Sequence, residues 1–153
     1  MLKFMNVGKF SKILVAIDGS EMSMKAAEYG VAMAKKDTAN LVIISVIYTP
    51  ASTFTYTKQE WFDEFLKKSK DESAKWFDKV KKNAAQNGVQ VKVETVEELY
   101  SIPAAIVKYA ENENADLIIM GSTGKTGFKR LLLGSVANDV VIHSPIPVMI
   151  IKS

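Results

Sequence analysis

The chain has 153 residues, 48% of them hydrophobic and 24% charged, with a net charge of +3 and no cysteine. That length and balance predict one domain, residues 1–153, with a sizeable core, and the missing thiols exclude disulfides, thiolate metal sites and cysteine nucleophiles. The charges are mixed along the sequence, which predicts a solvated surface and no nucleic-acid footprint; no apolar run could span a bilayer and Met1–Lys12 carry no secretory pattern, so a cytoplasmic protein with no membrane partner is expected.

The first apolar run is Ile13-Leu14-Val15-Ala16-Ile17, a buried strand by length and composition. Ser20 is placed to cap a helix from Glu21 to about Lys36, with Met24, Ala27, Val31 and Ala34 on one stripe. Leu41 to Ile47 is the second strand; like the first it is apolar at consecutive positions, as parallel strands covered on two faces are. Tyr48 to Lys58 is a Thr/Ser-rich loop in which Thr57 and Glu60 form a capping box. A long helix follows to about Gln86, with Phe62, Leu66, Trp76, Phe77, Val80 and Ala84 near one face, and Asn87-Gly88 stops it. Val89 to Val96 alternates strictly, the pattern of a sheet-edge strand with one wet face. Ser101 caps a third helix with Pro103 in its first turn, Asp116 to Met120 is the fourth strand, Ser135 to His143 a short helix, and Pro147 to Ile151 the last strand.

Five strands and four helices in strict alternation predict an α/β fold. Right-handed crossovers then give an open, doubly wound five-stranded parallel sheet of order 3-2-1-4-5 with helices on both faces. Ligands in such sheets sit beyond the carboxyl ends of the strands where the order reverses. Here that crevice lies between the first strand, followed by Asp18, and the fourth, followed by Gly121.

Gly121-Ser122-Thr123-Gly124 follows the fourth strand, and Gly134-Ser135 comes after nine further residues, at a predicted helix start. A glycine lets its N–H approach a ligand oxygen closely and admits positive φ. A helix N-terminus offers free amides and a dipole that favours anions. Each residue alone could be an ordinary turn residue; together they predict phosphate and hence nucleotide binding. Asp18 can cap the next helix through an Asx turn; its carboxylate can also accept from ribose hydroxyls or the adenine amino group. Gly124-Lys125-Thr126 imitates the end of a Walker A loop, but Ile119 stands where that loop needs its first glycine. Lys125, Lys129 and Arg130 are either solvated loop charges or a screen for a polyphosphate. His143, the one histidine, reads as a helix-end cation or satisfied polar group, not as a base. Trp61 and Trp76 fall in a helical pattern and read as core. The first turn, Asp18-Gly19-Ser20-Glu21, lacks the G-x-G-x-x-G of nicotinamide binders, and no aspartate ends the third strand as in phosphoacceptor receivers.

On these residues the chain resembles the universal stress protein family, whose nucleotide motif G-x2-G-x9-G-[ST] is matched without a gap by Gly121, Gly124, Gly134 and Ser135. The resemblance extends over essentially the whole chain, including Asp18-Gly19-Ser20, Leu41 to Val46, Ala115 to Gly121 and Pro145 to Val148. It implies the fold derived above and membership of the branch that binds ATP. By position, Asp18 would contact the adenosine part, Val46 would present backbone to adenine, and Met120 and Gly121 would border the ribose. Gly124, Gly134, Ser135 and Val136 would hold the phosphates, bridged by a divalent cation, Mg or Mn. The resemblance also implies a homodimer through the last strand, where Val148-Met149-Ile150-Ile151 is an apolar run at a predicted sheet edge. The expected function is an ATP-dependent switch in the stress response, acting on a protein partner that the sequence does not name, with at most slow hydrolysis. An adenine-nucleotide hydrolase or transferase, and a nucleotide-free interaction module, are the alternatives.

Overall fold

A computed structural model describes residues 8–50, 52, 58–124 and 133–152. In chain order the elements are β1 (Lys12–Ala16), α1 (Glu21–Asp37), β2 (Asn40–Tyr48), α2 (Gln59–Gln86), β3 (Val91–Glu98), α3 (Ile102–Asn112), β4 (Leu117–Gly121), α4 (Ser135–His143) and β5 (Val148–Ile151). The sheet order is β3-β2-β1-β4-β5 with every pairing parallel, as the alternation predicts.

The period-two geometry of a strand divides the core. Ile13, Val15, Leu41, Ile43, Leu117 and Ile119 face α1 and α2, where they meet Ala27, Val31, Phe77 and Val80. Leu14, Val42, Ile44, Ile118 and Met120 face the other way, onto Ile106 and Ala110 of α3 and Ala137 and Val140 of α4. Both sheet faces are covered, so the strands between them carry apolar residues at consecutive positions. The half-buried alternation of β3 follows from its place at one edge.

The boundaries differ from the sequence expectation where hydrogen bonding overrides hydrophobicity. Ile17 is buried but sits past the end of β1; its N–H still donates to Ile44 O at 2.9 Å. Asp116 precedes β4 and clamps it to β1: its carboxylate accepts from Ser11 N at 2.8 Å and Lys12 N at 3.0 Å. Ser20 and Ser101 cap their helices as expected, accepting from Ser23 N at 3.3 Å and Ala104 N at 3.2 Å. The capping box expected to open α2 rests on Thr57. Thr57 lies outside the described residues, and the cap position is Lys58, which makes no side-chain capping bond. Nor is Trp61 core: it is 61% exposed, in a stretch of α2 that buries no residue before Ser73. Trp76, fifteen positions on, is half-buried and packs against the core on the α1–α2 face.

Candidate functional site

After β1 the chain turns to α1 on one face of the sheet, and the helix after β4 packs on the other. The two connections diverge from adjacent strands and leave a crevice at the carboxyl edge. A cavity of about 530 Å³ occupies it, and Asp18, Val46, Met120, Gly121, Gly124, Gly134, Ser135 and Val136 all line it. Ala16, Ile17, Ser23, Ile102, Ile106, Ser122, Thr123 and Ala137 complete the wall.

Asp18 makes the expected Asx turn and also lines the cavity. Its Oδ1 accepts from Ser20 N at 2.9 Å, an Asx turn, while its own N–H donates to Ser23 Oγ at 3.2 Å. Gly19 between them has φ +80°, the left-handed region that a side chain disfavours. This fixes the carboxylate with Oδ2 turned to the opposite wall, where a Cβ on Gly124 would come within 2.7 Å of it.

The motif glycines work by close approach. None of Gly121, Gly124 and Gly134 has a positive φ, so the permissive backbone invoked from the sequence is not what these positions use. A Cβ on Gly121 would lie 2.8 Å from Met22 C and Cβ and 3.0 Å from Ser23 N. Gly121 therefore admits the first turn of α1 against the end of β4. Gly134 donates to Ser122 O at 2.6 Å, which folds the start of α4 back onto the residues after β4. Gly134 is also the N-cap of α4 and has no side chain to cap with. The amides of Ser135, Val136 and Ala137, which an α-helix leaves without intrahelical partners, thus belong to residues that line the cleft. By contrast α1 and α3 each give one N-terminal amide, Ser23 N and Ala104 N, to their own capping serine.

The other end of the cavity is apolar, walled by Ile17, Val46, Ile102, Ile106 and Met120. It also offers a strand edge. β2 runs beside β3 as far as Tyr48, but its pairing with β1 stops at Ile44 opposite Ala16. Ile44 O points toward β1, where it accepts from Ile17 N. In a parallel ladder successive residues point their backbone groups to alternate sides. Val46 therefore turns its N–H and C=O toward the cleft, beyond the last β1 partner. Ile102 and Ile106 were missed from the sequence. They lie one turn apart on α3, a spacing that marks a buried helix face but not what it faces. Glu98 sets where that helix begins: its carboxylate accepts from Tyr100 N at 2.8 Å and Ser101 N at 3.2 Å, and these amides hold it below the usual carboxylate range.

Asp18 is the one titratable side chain among the described residues that line the cavity. Among the described residues no three acids or histidines gather into a metal-holding group. Lys125, Lys129 and Arg130 lie outside the described residues. His143 is away from the cleft at the end of α4, its Nδ1 2.9 Å from Asp139 O, a satisfied polar group as the sequence suggests.

The sequence model of the universal stress protein family matches residues 9–152. A universal stress protein of Methanocaldococcus jannaschii is 38% identical over 146 residues, covering 94% of this chain and 82% of that one. One of Bacillus subtilis is 36% identical over 149 residues, covering 94% and 99%. Among solved structures, that of the protein MJ0577 superposes with a TM-score of 0.81 at 32% identity, covering 94% of this chain and 96% of the other. No helix among the described residues is long and apolar enough to cross a membrane.

Proposed function

The chain belongs to the universal stress protein family, and we propose that within it this protein is an ATP-binding regulator of the cytoplasmic stress response. One observation carries the reading: the bare N-terminus of α4 and the close-packed glycines line the same cleft as the fixed carboxylate of Asp18. The apolar end takes adenine, with the N–H and C=O of Val46 offering a donor and an acceptor to the base edge. Asp18 accepts from the ribose, bordered by Met120 and Gly121. Gly124, Gly134, Ser135 and Val136 take the phosphates, where amide bonds to a charged acceptor contribute about 1.5–3 kcal/mol each. Mg²⁺ or Mn²⁺ binds through the phosphate oxygens. Proteins of this fold solved with cAMP and, from Archaeoglobus fulgidus, with dAMP are 23% and 21% identical and speak for the fold alone.

Turnover is expected to be slow. Hydrolysis needs an oriented water and charge stabilisation at the γ-phosphate, and Asp18 already spends one oxygen on the Ser20 amide. Occupancy instead biases the surface around Gly121, Gly124 and Gly134 that is offered to a partner. Equilibrium dialysis with labelled ATP and Mg²⁺ is expected to give a Kd of roughly micromolar order, and mass spectrometry to find adenine nucleotide retained by the purified protein. No binding at millimolar ATP refutes the reading and leaves a nucleotide-free module.

The edge position of β5 supports a homodimer through Val148–Ile151. Ile150→Glu is expected to shift the sedimentation profile from dimer to monomer, with a thermal melt run alongside to show a folded monomer. An unchanged profile rules out that interface.

A further inference from the structure

We infer that Trp76, which does not line the cleft, is the positioning residue for Asp18, and that it senses occupancy of the cleft from the far side of the Asp18-Gly19-Ser20 turn; this rests on the nucleotide reading above. A Cβ on Gly19 would lie 2.3 Å from both Cε2 and Cζ2 of Trp76 and 2.7 Å from its Nε1. The indole from α2 therefore fills the place where any other residue would carry a side chain. Three constraints meet at this turn. Ser20 N is bonded to Asp18 Oδ1, Asp18 N to Ser23 Oγ, and the left-handed Gly19 bears on the indole. The first two tie the turn to α1. Contact with Trp76 is what ties it to α2.

The geometry explains why an indole suits the position. The turn is a convex piece of backbone, and a flat ring covers it over a large area while its χ angles are few. The half-buried Trp76 is anchored in turn by the core on the α1–α2 face. Displacing it lets the turn rock, and the carboxylate moves with the turn. A Cβ on Gly124 would come within 2.7 Å of Asp18 Oδ2, so the two walls face each other closely there and a small rotation changes the width of the cleft between them. Conversely, a ligand that draws Asp18 across the cleft alters the packing of the indole.

Two tryptophans are present in the chain. In Trp61→Phe protein the emission of Trp76 is expected to shift on titration with Mg·ATP, with a midpoint equal to the calorimetric Kd. Trp76→Leu is expected to weaken ATP binding about tenfold and Trp76→Phe by less than about threefold, since a flat ring remains. Val80→Ala, which opens the same helix–sheet contact without touching the turn, is the control. It is expected to lower the melting temperature while leaving Kd within about twofold. The inference is overturned if calorimetry shows ATP binding while Trp76 emission stays flat, or if Trp76→Leu weakens binding no more than Val80→Ala does. Absence of ATP binding by the unaltered protein is a different result; it removes the nucleotide reading itself.

Discussion

Gly124→Val is expected to raise the Kd for ATP at least about 100-fold, a loss of ~2.7 kcal/mol, while the melting temperature stays within about 2 °C. The sequence predicts this loss because a side chain would stand in the phosphate path. The structure adds a second cause, since a Cβ at this position would come within 2.7 Å of Asp18 Oδ2. The obstacle is the tip of a side chain, so the fold can yield to it by turning the carboxylate aside. That yielding is what costs the site: the Asp18 carboxylate leaves the position from which it faces the cleft, and the branched side chain takes the space between the two walls. Loss of one or two charge-assisted hydrogen bonds accounts for the size of the effect. Gly124→Ala separates the two causes. In a double-mutant cycle with Asp18→Ala, the alanine should cost much less once the carboxylate is gone. Normal ATP binding by Gly124→Val in calorimetry removes Gly124 from the phosphate site.

How far the sequence could be read depended on whether a feature is local. Ile13 to Val15 and Leu117 to Met120 announce strands buried on both faces, because alternation is absent from them and present in β3. Serine caps at Ser20 and Ser101 are equally local and form as expected. Trp61 shows where periodicity ends. It assigns a residue to a stripe of α2 but does not say how much of that stripe is covered, and Trp61 is left 61% exposed while burial starts only at Ser73. The site divides in the same way. Spacing along the chain finds Gly121, Gly124, Gly134 and Ser135. The apolar wall from Ile102 and Ile106 depends on how α3 lies across the strand ends, which no run of residues encodes. The role of Trp76 depends on a contact between α2 and a turn more than fifty residues away. The glycine pattern itself hides two different physical demands, because a sequence records only that a side chain is absent and not what occupies its place.

That difference gives the second large effect. Gly121→Ala is expected to destabilise the protein by about 2–3 kcal/mol, as overpacking of a rigid contact does. Gly121 and Gly124 belong to the same motif, yet the added methyl meets different neighbours. At Gly121 it would lie 2.8 Å from Met22 C and Cβ and 3.0 Å from Ser23 N. These belong mainly to the backbone of the first turn of α1, and a backbone cannot swing aside as the Asp18 carboxylate can. Moving that turn disturbs the Ser20 cap and the Ser23 hydroxyl that receives Asp18 N. Pulling Gly121 away instead strains its pairing with Ile151 and the bond from Ser122 N to Ile151 O at 2.9 Å. Neither route is cheap, so the cost appears as stability first and as ATP affinity second. Urea unfolding should show a lower midpoint at constant slope for Gly121→Ala, and almost no change for Gly124→Ala. Equal midpoints for the two variants would mean that α1 is not held against β4 by this contact, and the motif would then serve the ligand alone.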